Sequence, residues 1–246
     1  MGDLAVVAWP TLVTFLLGGA LVLIELAGPV LGESKDGGTP WHAHHIAERH
    51  SLFAIVALGE GIVGTVAALS SVVAQNGWTM ETALVGVAGT GLTFGIWWIY
   101  DLLPSARILH AHRNRAFAWS FGQIAIVASI VAIGAGLHVA AHLIAHEGSV
   151  SRIATALSVA VPVGACLVAT YAVYGYLVGR WDRFGVGLLL TSTGVVVAAV
   201  VAAASGLSLA GSLLILALAP TVTVVGYERL GYRYKAAALA HNARET

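Results

Sequence analysis

The chain has 246 residues, 58% of them hydrophobic and only 10% charged, with a formal net charge of zero. A soluble domain carries roughly 25% charged residues, so this composition excludes an ordinary water-soluble globule and predicts an all-α polytopic membrane protein whose first partner is the lipid bilayer. No long basic run, no alternation of aromatic and basic residues and no phosphate-cradling glycine loop occurs, which leaves nucleic-acid and nucleotide binding without support.

From the N-terminus, apolar stretches fall at residues 4–31, 51–75, 79–103, 117–146, 153–179, 184–206 and 207–231. Each is long enough to cross a ~30 Å hydrocarbon core as a helix. The first follows Met1-Gly2-Asp3 without the basic leader of a cleaved signal and reads as a retained helix. The last two are divided only by Ser205-Gly206-Leu207-Ser208, so six spans with one broken helix is the alternative count. Residues 1–231 are expected to form a single transmembrane bundle and 232–246 a cytosolic tail.

The basic residues argue for seven. With the N-terminus outside and the C-terminus in the cytosol, eleven of the twelve lysines and arginines fall on the cytosolic side and only Arg152 outside. This is the asymmetry that the positive-inside rule describes, and six spans would move the basic tail to the wrong side.

Polar residues inside apolar spans mark function by default, because lipid offers them no partner. In the second span a helical projection gathers His50, Ala57, Glu60, Gly64, Ala67 and Ser71 into one sector, with Ile55, Leu58, Ile62, Val66 and Leu69 opposite. The small and polar sector is expected to face the bundle, with Glu60 ~15 Å beyond His50. Arg49 lies on nearly the same sector as Glu60. Glu25 in the first span and Asp101 and Glu228 near the inner ends of the third and seventh complete a set of carboxylates in the cytosolic half. The third span adds Gly86, Gly89, Gly91 and Gly95, and the Gly91–Gly95 spacing permits close helix contact. Pro10, Pro162 and Pro220 fall inside spans and should kink them.

Histidines form two groups. His42, His44, His45, His50, His110 and His112 lie on the cytosolic connections. His138, His142 and His146 recur at i, i+4, i+8 toward the outer end of the fourth span, a spacing that can hold zinc but lacks a further ligand. Position 138 is ~31 Å beyond Phe117, which predicts that this trio sits among lipid headgroups and makes it a weak metal candidate. Cys166 has no partner in the chain, and no motif calls for a cofactor.

Three blocks carry a resemblance: Glu25-Leu26-Ala27-Gly28-Pro29; the run from His45-Ile46-Ala47-Glu48-Arg49-His50 through Leu52, Phe53, Ile55 and Leu58-Gly59-Glu60 to Ile62; and Trp97-Trp98-Ile99-Tyr100-Asp101. Over residues 20–145 the chain resembles the bacterial low-temperature-requirement A (LtrA) family, in particular the later portion of its longer members. The resemblance implies a multi-pass protein of the bacterial inner membrane with no established reaction. Carried over by position, it points to His45, Glu48, Arg49, His50 and Glu60, then Glu25 and Asp101.

The function expected from these residues is transport or conduction of a proton, an ion or a small solute, with Glu60 as a protonatable gate, Arg49 and His50 tuning it or relaying protons, and Glu25 supplying a second carboxylate. The alternatives are an intramembrane histidine-zinc hydrolase and a structural or stress-related membrane protein. A homo-oligomer is compatible with all three.

Overall fold

The computed structural model describes residues 2–33, 41–145, 152–179 and 181–231. His146 and the 232–246 tail lie outside them. The elements are α1 (Gly2–Glu33), α2 (Ala43–Asn76), α3 (Met80–Asp101), the short α4 (Ser105–Ala111), α5 (Ala116–Ala145), α6 (Arg152–Val178), α7 (Arg183–Ala204) and α8 (Leu209–Gly226). A 3₁₀ turn at Arg113–Arg115 leads into α5, and a π-helical turn at Tyr227–Gly231 follows α8. Seven of these helices are long and apolar enough to span a membrane.

Two compact units result: residues 1–42, and residues 43–246. α1 is the helix of the first, with the apolar side chains that suit lipid, such as Phe15 and Leu16, exposed. In the second, α2 packs against α3 and α5, α5 against α6, α6 against α7, α7 against α8, and α8 back against α3. These contacts close six helices into a ring around a core that includes Leu92, Leu137, Val159, Val163 and Leu213.

The breaks follow from local chemistry. Thr79, Asp182 and Ser208 cap α3, α7 and α8, each side chain accepting from the backbone N–H three residues on, which satisfies a donor that the first turn leaves unpaired. Gly206 adopts φ +96° between α7 and α8, a left-handed conformation that glycine enters without penalty. The weak Ser205–Ser208 signal therefore separates two helices. α2 starts eight residues before its apolar stretch, because the charged segment from His44 to His50 contains no glycine or proline to stop the helix.

Small residues bring the helices together. Thr65 of α2 lies over Gly89 of α3, and Thr93 of α3 lies over Gly61 of α2; a Cβ on either glycine would fall within 2.7 Å of the opposing threonine. Each threonine hydroxyl donates to a glycine carbonyl of its own helix, Thr65 to Gly61 at 2.7 Å and Thr93 to Gly89 at 3.0 Å, so the clasp leaves no hydroxyl unpaired. Gly95 packs on Pro220 of α8, whereas Gly91 meets nothing. The expected Gly91–Gly95 contact face is thus replaced by two separate contacts, through Gly89 and through Gly95. Between α6, α7 and α8 the Thr223 hydroxyl lies 3.4 Å from the Tyr171 hydroxyl, which donates to it, and 2.9 Å from the Ser192 hydroxyl. All three residues are buried.

Candidate functional site

The sequence candidates separate into two places along α2. At its first two turns, His44, Ala47, Glu48 and Ser51 follow the i, i+3, i+4, i+7 spacing of one helix face. That face meets Tyr100, Asp101 and Leu103 at the end of α3 and Pro104, Ser105, Ala106 and Arg107 at the start of α4. Together with Trp119 of α5, they line an open cavity of about 370 Å³. The turn from α3 into α4 at Leu102–Pro104 is what carries Arg107 across from Glu48, and buried Ile108 and Leu109 hold α4 in place.

Polar groups of both signs share this cavity. Among the described residues neither Asp101 nor Arg107 forms an ion pair. Glu48 lies 3.8 Å from His45, with both side chains largely exposed, a geometry worth little in water. The Tyr100 hydroxyl donates to the Gln123 side-chain oxygen at 3.0 Å, and Gln123 is only 4% exposed. Gln123 was not among the sequence candidates, although a lone amide in the apolar run of α5 is itself a signal. The Trp98 indole N–H donates to Glu228 at 3.2 Å, tying α3 to the π-helical turn.

His50 takes a packing role. Its Nδ1–H donates to the Ile46 carbonyl at 2.9 Å, and its ring stands edge-on to Trp119 with centroids 5.0 Å apart. Arg49 is exposed and has no described contact with Glu60. Glu25 is exposed on α1.

The second place is the middle of α2, where Glu60 lies ~25 Å from either end of the helix. Its partner is His138, whose Nε2 stands 3.2 Å from Oε1 of Glu60. The sequence reading places His138 among the headgroups with no ligand role; the structure gives it a carboxylate partner on α2. Trp119 of α5 is already beside His50 of α2, and Gly134 lies directly on Glu60. His138, one turn on, leans back toward the N-terminus of its helix as helical side chains do. The pair also corrects the expectation that Glu60 points into the bundle. On α2, Gly61 and Thr65 face α3 and Gly64 faces α5; Glu60 falls beyond the Gly64 row, on the outer seam, and both side chains of the pair are 41% exposed. Leu58, expected on the lipid side, is buried.

Among the described residues no group of three His, Cys, Asp or Glu lies close enough to share a metal ion. His138 engages Glu60, and His142 lies one turn further along the exposed side of α5.

A ring of six helices plus α1, seven spans in all, with ionisable residues gathered at one end and one ion pair midway, defines a polytopic α-helical membrane protein. The chain belongs to the bacterial low temperature requirement A (LtrA) family, whose model matches residues 2–221. That match takes in α1 and reaches into α8, well beyond the 20–145 segment in which the motif blocks lie. No curated protein and no solved structure matches the chain.

Proposed function

We propose that the protein moves a small ionisable solute or an ion across the bacterial inner membrane and that the cavity between α2, α3 and α4 is where the solute is recognised. The observation that carries this reading is the cavity itself: Glu48, Asp101, Arg107 and His44 line one volume of about 370 Å³ over the buried face of Trp119. Pockets that bind small molecules combine an apolar floor with a few convergent polar groups, and Asp101 and Arg107, which form no ion pair among the described residues, can pair with a ligand. The positive-inside rule favours a cytosolic position for this end of the bundle. Glu60 and His138 then form the ionisable element at mid-membrane, coupled to the cavity through the α2–α5 contact.

Purified protein in liposomes tests the reading. Vesicles holding it should dissipate an imposed proton or salt gradient, or accumulate a labelled amino acid, faster than empty vesicles. Asp101→Asn and Glu48→Gln should slow that flux several-fold, whereas His45→Gln, on the exposed side of the same turn, should leave it unchanged. Flux equal to that of empty vesicles for every solute tried overturns the proposal.

A further inference from the structure

A carboxylate and an imidazole in contact on the outer surface of two apolar helices are out of keeping with their setting. Glu60 lies midway along α2, and residues of this kind within a membrane are rare unless they face protein or a water-filled cavity. Here the face around the pair is apolar and open: Val56 is 73% exposed, Val63 54% and Val131 43%. Gly59 and Ala135 lie beside the pair on α2 and α5, both exposed, and a Cβ built on Gly59 would meet nothing within 4 Å. Each member of the pair has used one polar atom. Among the described residues the second oxygen of Glu60 and the Nδ1 of His138 make no contact.

The unused groups are complementary to each other. One is an acceptor, and the other can donate, so a surface carrying both satisfies itself when it meets its own copy across a two-fold axis. An axis along the membrane normal keeps the two copies at the same depth and brings Glu60 of one opposite the partner's His138. Gly59 and Ala135 let the backbones approach, as small residues do in membrane interfaces. We propose that the outer α2–α5 seam binds a second copy of this chain in parallel, with the two Glu60–His138 pairs at the centre of the interface.

Cross-linking in native membranes tests this. In a Cys166→Ala background, single substitutions Gly59→Cys, Val63→Cys and Ala135→Cys sit on the seam, and Val197→Cys sits on the exposed face of α7 across the ring. On mild oxidation at least one seam variant should give a disulfide-linked dimer several-fold more abundant than Val197→Cys gives. His138→Ala should lower that yield several-fold. The mass of the unmodified protein in detergent, by light scattering, should be that of two chains. Seam cross-links no stronger than those at Val197, or a one-chain mass together with yields that His138→Ala does not change, overturn the proposal and leave the pair to be covered by lipid or another segment of the same chain.

Discussion

Gly134 of α5 rests directly on Glu60 of α2: a Cβ built on the glycine would lie 2.5 Å from the Glu60 Cγ and 2.6 Å from its carbonyl carbon and oxygen. Gly64 of α2 is packed as tightly on the Gly134 carbonyl, so packing at Gly134 and the placement of the carboxylate are one constraint. Gly134→Ala should destabilise the protein by about 1–3 kcal/mol, the usual cost of overpacking a close contact. Gly91→Ala, where nothing stands within 4 Å, should stay within about 0.5 kcal/mol of the parent. Thermal unfolding in detergent checks both. Equal behaviour of the two variants would show that α2 and α5 separate easily.

Thr223 joins three helices through hydroxyls. Thr223→Val keeps the shape and removes the oxygen, leaving the Tyr171 and Ser192 hydroxyls buried without their partner. A loss of about 1–3 kcal/mol is expected, since stranded buried donors cost more than the bond they made. The double change Thr223→Val with Ser192→Ala should cost less than the sum of the two single changes, because it removes one of the stranded groups. Chemical denaturation of the purified protein reads the difference, and strict additivity would mean that the three hydroxyls do not act together.

The spans were legible in the sequence because lipid demands long apolar helices and the chain marks their ends with Thr79, Asp182, Gly206 and Ser208. Glu48 and Asp101 were legible as candidates through the motif blocks, but their convergence with Arg107 was not, since it depends on the Leu102–Pro104 turn that folds α4 back toward α2. The partner of Glu60 was missed for a different reason. Counting residues along α5 gives a depth and not a neighbour: Trp119 stands beside His50, yet it is Gly134, fifteen residues on, that meets Glu60, ten residues on, and His138 reaches back to the carboxylate. Periodicity gave the correct sector for Glu60, the one shared with Gly64. It could not tell that this sector looks at a neighbouring helix's outer edge.

Orientation is open to a direct measurement. If the seven spans run as the positive-inside rule expects, reporter fusions after Arg115, after Arg183 and at the C-terminus should read cytosolic, and one after Gly148 external. The cavity lies at the same end as Arg113 and Arg115, so the fusions also assign the compartment it faces. A cytosolic reading after Gly148 would overturn the arrangement and place the cavity outside.

The Glu60–His138 pair distinguishes a working group from a helix clasp. Glu60→Gln keeps the size and hydrogen-bonding capacity but cannot ionise; His138→Gln does the same from the other side. If the pair only holds α2 to α5, the amides substitute well, and a double-mutant cycle should return a coupling near the ~0.6 kcal/mol average of interhelical hydrogen bonds in membranes. Function would be retained in both variants. If the pair exchanges a proton during transport, either variant should abolish gradient-driven flux while folding and membrane insertion persist, since what is lost is titration and not contact. Glu60→Asp sharpens the comparison: it can still ionise, but its carboxylate is one methylene short of His138, so it should recover part of the flux that Glu60→Gln loses. Flux in the Glu60→Gln protein equal to that of the parent across pH 5–8 would remove the proton-handling role and leave the pair a structural contact on the α2–α5 seam.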